Sequence, residues 1–272
     1  MSETIVVVLS DMHSGGTTAL FPNRFMQFKH INHTPTPKQK TIFNHFDKCA
    51  KAIAERRRGR RMVLIHDGDA IEGWHHNSQE IITANKAEQR EIHEELMDHF
   101  LRRVGFKKSA DELYYINGTE THTGEHENEI AKSMGAKKPP YAGHVWDHLE
   151  LKINRRLLWF AHHGKGRGKG PNEGSGLRLF LRDVYYDCLK RSLPPPDMVI
   201  TGHTHTPTYN TFIVREGGDF RTLHGIIAPS WQMKTRYAYK ASPVDVNEIG
   251  SVDFDISEAG EISRPRFQIL GT

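Results

Sequence analysis

The sequence predicts a layered α/β sandwich whose C-terminal part is rich in β-strands. Apolar, β-branched runs such as Thr4–Leu9 and Met62–Ile65 alternate with segments of helical periodicity up to about residue 208. Beyond that point, short strands and turns such as Gly217–Gly218 follow one another. This alternation is typical of layered α/β proteins, and we expect residues 1–272 to form a single domain.

The other elements follow from the same two periodicities, taken in chain order. Residues 17–37 contain three prolines and are expected to be irregular. Apolar residues at helical spacing predict helices over 38–58, 79–104, 125–134 and 177–189. Short apolar runs predict strands over 112–116, 145–153, 157–161, 198–200, 212–215, 220–224, 226–229 and 251–256.

The composition is that of an ordinary globular protein, with 37% hydrophobic and 26% charged residues. No stretch approaches the roughly 18–20 apolar residues that cross a membrane, and residues 1–10 lack the basic region of a signal peptide. The only cysteines are Cys49 and Cys188, so we expect no disulfide framework and a cytoplasmic location. A formal charge of +4 permits an anionic partner without requiring one.

Polar residues with the chemistry of metal ligands follow five of the predicted strands. A single aspartate at a strand end often caps a turn, but five such clusters are hard to explain in that way. Loops at the carboxyl ends of strands gather the sites of α/β proteins, and oxygen and nitrogen ligands suit Mn²⁺, Fe²⁺ or Zn²⁺. The clusters are Asp11-Met12-His13, Gly68-Asp69, Gly118–His122, His162-His163 and Gly202-His203-Thr204-His205.

The order of these blocks resembles the calcineurin-like metallophosphoesterase superfamily, whose pattern is DxH, GD, GNH, a histidine and GHxH. The match covers residues 5–207. The resemblance implies a four-layer αββα sandwich of two mixed sheets flanked by helices, with two divalent metal ions. Manganese is expected first, and iron, zinc or nickel are the alternatives.

The resemblance also implies which residues bind each ion. One ion would be held by Asp11, His13 and His205. The other would be held by His203 and by one of two adjacent histidines, and Asp69 would bridge both ions. Of these two, His162 is preferred over His163 because it follows the apolar strand directly.

The third block departs from the superfamily pattern, in which an asparagine binds a metal and the next histidine acts on the leaving group. Here Thr119 or Glu120 stands in place of the asparagine, and His122 lies two residues further on. This GTxxH form looks like that of calcineurin-like phosphoesterases from bacteriophages, which would place the protein in the host cytoplasm. We expect His122 to act as the general acid.

The expected activity is metal-dependent hydrolysis of phosphate esters, of the phosphodiesterase or nuclease type, without a membrane partner. Lys165 and Arg167 are expected to neutralise the phosphate oxygens of a nucleotide or nucleic acid, with a solvated linker as the alternative. Two other functions stay open, a phosphomonoesterase acting on nucleotides or phosphoproteins and a non-catalytic metal-binding scaffold. The sequence does not indicate an oligomeric state.

Two further segments allow more than one interpretation. The basic run at residues 56–61 is expected to be a cationic helix end rather than a nucleic-acid patch. Arg236 and Tyr237 are candidates for substrate contact, as is Trp231, for which core packing is at least as good an interpretation.

Overall fold

The structure is a computed structural model that describes residues 3–29, 31–74, 79–166, 168, 172–241 and 247–271. Its helices are Pro37–Arg57 (α1), Lys86–Arg103 (α2), His126–Met134 (α3), Ser175–Lys190 (α4) and Arg236–Ala241 (α5). Its strands are Thr4–Leu9 (β1), Met26–Gln27 (β2), Asn32–His33 (β3), Arg61–Asp67 (β4), Glu112–Ile116 (β5), Leu149–Ile153 (β6), Arg156–Phe160 (β7), Met198–Thr201 (β8), Thr208–Glu216 (β9), Asp219–Ile227 (β10), Gly250–Ile256 (β11) and Arg266–Ile269 (β12).

Two five-stranded mixed sheets form the centre of the fold. The first has the order β12-β11-β1-β4-β5, in which β1, β4 and β5 are parallel. The second has the order β6-β7-β8-β10-β9, in which β7, β8 and β10 are parallel. The remaining pairs are antiparallel, namely β12–β11 and β11–β1 in the first sheet and β6–β7 and β10–β9 in the second, so each sheet is mixed as predicted.

The hydrophobic side chains divide between two cores according to the face of the sheet they occupy. Val6, Val8 and Ile65 point towards the second sheet, where they pack in one cluster with Phe160 and Ile200. Alternate residues of the same strands point the other way, against α1, α2 and α3. Burial on both faces explains why β1 and β4 read as continuous apolar runs.

The fourth layer is α4, which covers the outer face of the second sheet. Leu177 and Leu181 of this helix approach Gly225 of β10 so closely that a Cβ atom there would crowd both side chains. The predicted four-layer αββα sandwich is therefore confirmed. In the described part of the chain no helix is both long and apolar enough to span a membrane. That residues 1–272 form one domain stays a prediction.

Several predicted boundaries were wrong, each for a local reason. The helix expected from residue 79 begins at Lys86, because Asn85 caps it and the preceding segment hydrogen-bonds to Gly15 and Thr17 instead. The strand expected from 145 begins at Leu149. The two strands expected over 220–224 and 226–229 are one strand, and the supposed break at Gly225 is the position that accommodates α4.

Four elements were not expected from the sequence. The short β2–β3 hairpin lies within the segment 17–37 that was predicted to be irregular, and α5 and β12 had no predicted counterpart. The predicted turn at Gly217–Gly218 does join β9 and β10, with both glycines at positive φ.

The basic run at residues 56–61 is largely neutralised within the fold. Arg57 is buried and forms a two-point ion pair with Asp111, and Arg56 pairs with Asp253. Arg60 pairs with Glu3 and Asp255, and Arg61 pairs with Glu112. These contacts favour the interpretation as a helix end over that of a nucleic-acid patch.

Candidate metal centre

The carboxyl ends of parallel strands bring the five sequence blocks to one edge of the sandwich. In the first sheet, β1, β4 and β5 lead into Asp11, Asp69 and Thr119. In the second sheet, β7 and β8 lead into His162 and His203. Because the two sheets pack face to face, these loops meet over a single region.

The backbone at this edge has positive φ angles, a conformation that residues other than glycine rarely adopt. Five candidate ligands have positive φ, whereas only four other non-glycine residues of the described chain do so. Such conformations cost free energy and persist where the surroundings enforce them, which happens most often at functional sites. The five are Asp11, His13, Asp69, His203 and His205, with φ of 53°, 45°, 53°, 66° and 54°.

Asp11, His13 and His205 form one group of potential ligands, whose donor atoms all lie within 4.8 Å of one another. Nε2 of His205 is 3.0 Å from Oδ1 of Asp11 and 3.3 Å from Nε2 of His13. The second oxygen of Asp11 accepts a hydrogen bond from the backbone nitrogen of His203 at 3.0 Å. This is the group that the resemblance assigns to one ion.

Asp69 lies between that group and His162. Its Oδ2 is 3.8 Å from Nε2 of His13 and 3.1 Å from Nε2 of His162. Nδ1 of His162 donates to the carbonyl oxygen of Asp67 at 2.6 Å, because a carbonyl can only accept. That bond turns Nε2 towards Asp69, where it could bind a metal ion once it has lost its proton.

His162, His163 and His203 form a second group of ligand atoms within 4.8 Å of one another. His162 is buried, whereas His163 and His203 are exposed. Neither of the two adjacent histidines is therefore excluded as a ligand. The ring centroid of His162 lies 5.3 Å from that of His203, and the ring centroid of His163 lies 4.5 Å from it.

The residues of the divergent third block differ in how closely they approach the candidate metal ligands. The backbone nitrogen of Thr119 donates to Asp69 at 2.6 Å, and its hydroxyl lies 3.2 Å from the same carboxylate and 3.4 Å from His203. Glu120 is exposed and lines a groove with Asn117 and Tyr141. Among the described residues, Glu120 belongs to no group that could hold a metal.

His122 forms a third group with His13 and Asp69, and its orientation is fixed by the backbone. Nδ1 of His122 donates to the carbonyl oxygen of Glu72 at 2.7 Å. Burial, together with the neighbouring His13, lowers the pKa of His122 to about 4, so the ring is neutral near pH 7. A neutral ring whose Nδ1 donates presents Nε2 as an acceptor, which suits a base or a ligand better than an acid.

Two histidines are oriented by residues that the sequence patterns did not indicate. The carboxylate of Glu72 lies 3.2 Å from Nδ1 of His13 and accepts from Nε2 of Gln232 at 2.5 Å. The amide of Asn247 lies 2.8 Å from Nδ1 of His205. In both cases Nε2 of the histidine is turned towards Asp11. Nothing in the local sequence distinguishes these residues, because their role arises from tertiary contact.

Glu127 of α3 joins two of the loops from behind. Its carboxylate is fully buried and accepts from the backbone nitrogens of Ala70 and Gly118, at 3.2 and 2.6 Å. These nitrogens flank Asp69 and Thr119 in sequence. Burial, with repulsion from Asp69, raises the pKa of Glu127 to about 7.

The charges in the cluster fit a divalent cation. Burial alone would raise the pKa of Asp11, but His205 and His162 outweigh it and hold that pKa well below its usual value. Burial opposes the charge of His162 in the same way, yet Asp11 and Asp69 raise its pKa to about 10. A bound metal ion would supply the positive charge that balances these ionised carboxylates.

An unsatisfied atom points to the same conclusion. Nε2 of His162 is buried and makes no hydrogen bond to any described residue, despite its short distance to Asp69. Buried polar atoms are normally satisfied, and one without a hydrogen bond calls for an explanation such as an ion. The donor set and this atom together fit a metal site.

Two of the motif glycines make the close approach of the loops sterically feasible. A Cβ atom on Gly118 would collide with the backbone nitrogen and the carboxylate of Asp69. A Cβ atom on Gly202 would collide with the hydroxyl of Ser10 and would lie 2.8 Å from Oδ2 of Asp11. The sequence signal here is the glycine before each ligand block.

The residues predicted to contact substrate lie in different surroundings. Lys165 forms an exposed ion pair with Asp183 of α4, and Arg167 lies outside the described residues. Trp231 is fully buried against Phe46, so it belongs to the core. Tyr237, by contrast, is 55% exposed and lines a cavity of about 260 Å³ together with His13, Asp69, His122, His203 and His205.

Comparison with known proteins gives no family assignment. No family model matches the sequence, and no curated protein matches it. Solved structures with a similar fold include Vps29 from Entamoeba histolytica complexed with Zn²⁺, at 14% identity and a TM-score of 0.40, covering 97% of this chain and 99% of that chain.

Two further similar structures come from bacteria. The Haemophilus influenzae NAD nucleotidase has 11% identity and a TM-score of 0.43, covering 98% of this chain and 50% of that chain. A predicted phosphoesterase from Streptococcus pneumoniae has 10% identity and a TM-score of 0.34, covering 98% and 99%. All three TM-scores are below 0.5.

Proposed function

We propose that this protein is a metal-dependent phosphoesterase that uses two divalent cations. The supporting observation is the position of Asp69 between two groups of ligand atoms, one around Asp11 and one around His162. A carboxylate in that position could be shared by two divalent ions. In this proposal Asp11, His13 and His205 hold one ion, His162 and His203 hold the other, and Asp69 bridges them.

Divalent ions, when bound, would polarise the phosphoryl oxygens and lower the pKa of a coordinated water. The protein's own residues provide the geometry for that chemistry. Glu72 and Asn247 hold the rings of His13 and His205, and Glu127 holds the loops of Asp69 and Thr119. His122, fixed through Nδ1, would accept at Nε2 the proton that the attacking water loses and would then give it to the oxygen of the leaving group.

The proposed substrate is a phosphodiester such as a nucleotide or nucleic-acid linkage. His163 and His203 are exposed on one side of the site, which leaves space for the second substituent of a diester. Lys165 would exchange its exposed partner Asp183 for a phosphate oxygen, since exposed ion pairs are weak. The likeness of the third block to bacteriophage phosphoesterases motivates nucleic-acid substrates in the test.

Phosphomonoester hydrolysis is the second candidate. Two observations favour it: the small cavity of about 260 Å³, and the pairing of Arg56, Arg57, Arg60 and Arg61 with carboxylates. A long nucleic acid would need a continuous basic surface for its backbone. The metal centre is the same in both candidates, so only substrate preference separates them.

The test is a substrate panel with the wild-type protein and His203→Ala, supplemented in turn with Mn²⁺, Zn²⁺, Co²⁺ and Ni²⁺. The panel contains a bis-aryl phosphate, an aryl monophosphate, nucleotides, and single-stranded and duplex DNA. We expect diester hydrolysis that is abolished in His203→Ala and retained in His144→Ala, a histidine outside the described ligand groups. Activity that survives His203→Ala, or inactivity with every metal, would contradict the proposal.

A further inference from the structure

We propose that three imidazoles, those of His162, His163 and His203, hold the second ion together with Asp69, and that this nitrogen-rich set selects Zn²⁺ or a similar ion over Mn²⁺. The inference rests on the proposed metal centre and adds a ligand and a metal preference to it. His163 would occupy the place of the asparagine ligand that the third block lacks.

The geometry of the three rings is the first support. Their ligand atoms lie within 4.8 Å of one another, and the ring centroids of His163 are 4.9 Å from His162 and 4.5 Å from His203. His163 is exposed, so its ring could have extended into solvent, yet it faces the other two. Three imidazoles whose nitrogens converge in this way have the geometry of metal ligands.

The local backbone explains how two adjacent residues reach one point. In an extended strand, successive side chains point to opposite faces. Strand β7 ends at Phe160, and the chain then turns, while the carbonyl of His162 accepts from the backbone nitrogen of Gly202. The bond between these loops brings His162 and His163 alongside His203.

Thr119 is less suited than His163 to replace the asparagine. Its hydroxyl donates to Oδ2 of Asp69 at 3.2 Å, and its backbone nitrogen donates to Oδ1 of the same carboxylate. Both groups therefore orient Asp69, in the manner of residues that support a ligand. A neutral hydroxyl is also a weaker donor to borderline cations than an imidazole nitrogen.

The ligand types determine the expected metal. Imidazole nitrogen suits zinc, nickel, copper and iron, whereas Mn²⁺ is better matched by carboxylate, carbonyl and water oxygens. A site with three imidazoles and one shared carboxylate is therefore expected to prefer zinc. This preference reverses the manganese-first expectation from the sequence.

The experiment measures metal binding without reference to activity. Protein stripped with a chelator is dialysed against Zn²⁺, Mn²⁺ or an equimolar mixture, and bound metal is counted by mass spectrometry. Stepwise Co²⁺ titration, followed by visible absorption, reports the coordination of each site. The variants are His163→Ala, Thr119→Ala and, as the control, His144→Ala.

We expect wild type and His144→Ala to bind two Zn²⁺ ions per chain and to retain Zn²⁺ in the mixture. His163→Ala should bind one ion normally and the other about tenfold or more weakly, with an altered Co²⁺ spectrum. Thr119→Ala should lower the affinity for that ion less than His163→Ala does.

Unchanged binding of two ions by His163→Ala would overturn the inference and leave the two-metal phosphoesterase proposal intact. The same applies if the wild type retains Mn²⁺ over Zn²⁺, or if Thr119→Ala weakens the second ion more than His163→Ala. If wild type binds no ion at all, the proposed function fails together with this inference.

Discussion

Nδ1 of His13 lies 3.2 Å from the carboxylate of Glu72, which is itself 98% buried. The backbone carbonyl of Glu72 also accepts a hydrogen bond from Nδ1 of His122. One residue therefore orients two imidazoles that contact each other, at a centroid distance of 4.8 Å. Carboxylates that accept from a ligating histidine fix its tautomer and increase its basicity.

Replacing Glu72 should weaken metal binding without removing any ligand. In Glu72→Gln the neutral amide is a poorer acceptor for Nδ1 of His13, so we expect about 10- to 100-fold weaker affinity for one ion. Equilibrium dialysis with Zn²⁺ measures it. Glu91→Gln, an exposed glutamate of α2, is the control. Equal affinities in a folded Glu72→Gln would show that His13 is oriented by something else.

Replacing Glu127 should loosen both the fold and the centre. Glutamine offers a single acceptor oxygen, so one of the backbone nitrogens of Ala70 and Gly118 would lose its buried partner in Glu127→Gln. We expect a loss of about 1–3 kcal/mol in the free energy of unfolding, measured with urea, and weaker metal binding. Glu129→Gln, on the exposed side of the same helix, should change neither. A fully stable Glu127→Gln with normal metal affinity would refute this role.

The blocks that the structure brings together at one edge share one physical property. Each directly follows a strand of the buried sheets, so the apolar run marks the strand and its end marks the site. For Asp11, Asp69 and His203 the sequence therefore indicated both the element and its place at the sheet edge. The structure adds that all three have positive φ, a conformation that residue type alone does not indicate.

What the sequence did not predict depends on contacts between distant segments. Asn247 reaches His205 from a loop before β11, and Glu72 reaches His13 from the loop after β4. Glycine was also misleading at one position, since Gly225 resembles a strand break but lies within β10 beneath α4. Such roles arise from packing between layers, which periodicity along one segment does not report.

A single methyl group at Gly118 should separate the loop of Thr119 from Asp69. The added Cβ in Gly118→Ala would meet the backbone and carboxylate of Asp69, which cannot move without losing its hydrogen bonds. We expect hydrolytic activity to fall at least tenfold. The far-ultraviolet circular dichroism spectrum should be retained, because the loss of stability is about that of one overpacked contact. Gly166→Ala is the matched control, because a Cβ atom there meets nothing within 4 Å. Equal activity of the two variants would contradict this interpretation.

The stability of the protein should fall in acid partly through His93. This ring is fully buried on α2; its Nδ1 donates to the carbonyl of Ala70 at 3.1 Å, and its Nε2 lies 3.0 Å from the hydroxyl of Tyr115. Burial lowers its pKa to about 3 and outweighs the opposing effect of the hydrogen bond to the Ala70 carbonyl. Between the ordinary value of 6.5 and 3, the unfolded chain binds a proton at His93 that the folded chain excludes.

It follows that the contribution of His93 to stability is complete above pH 6.5 and is lost as the pH falls, by up to about 1.4 kcal/mol per pH unit. His93→Gln lacks this group, so its free energy of unfolding should depend less steeply on pH between 6 and 4, whatever its stability at pH 7. Urea unfolding of the metal-free protein at several pH values measures both slopes. Parallel curves for His93→Gln and wild type would show that His93 does not exclude the proton in the folded state.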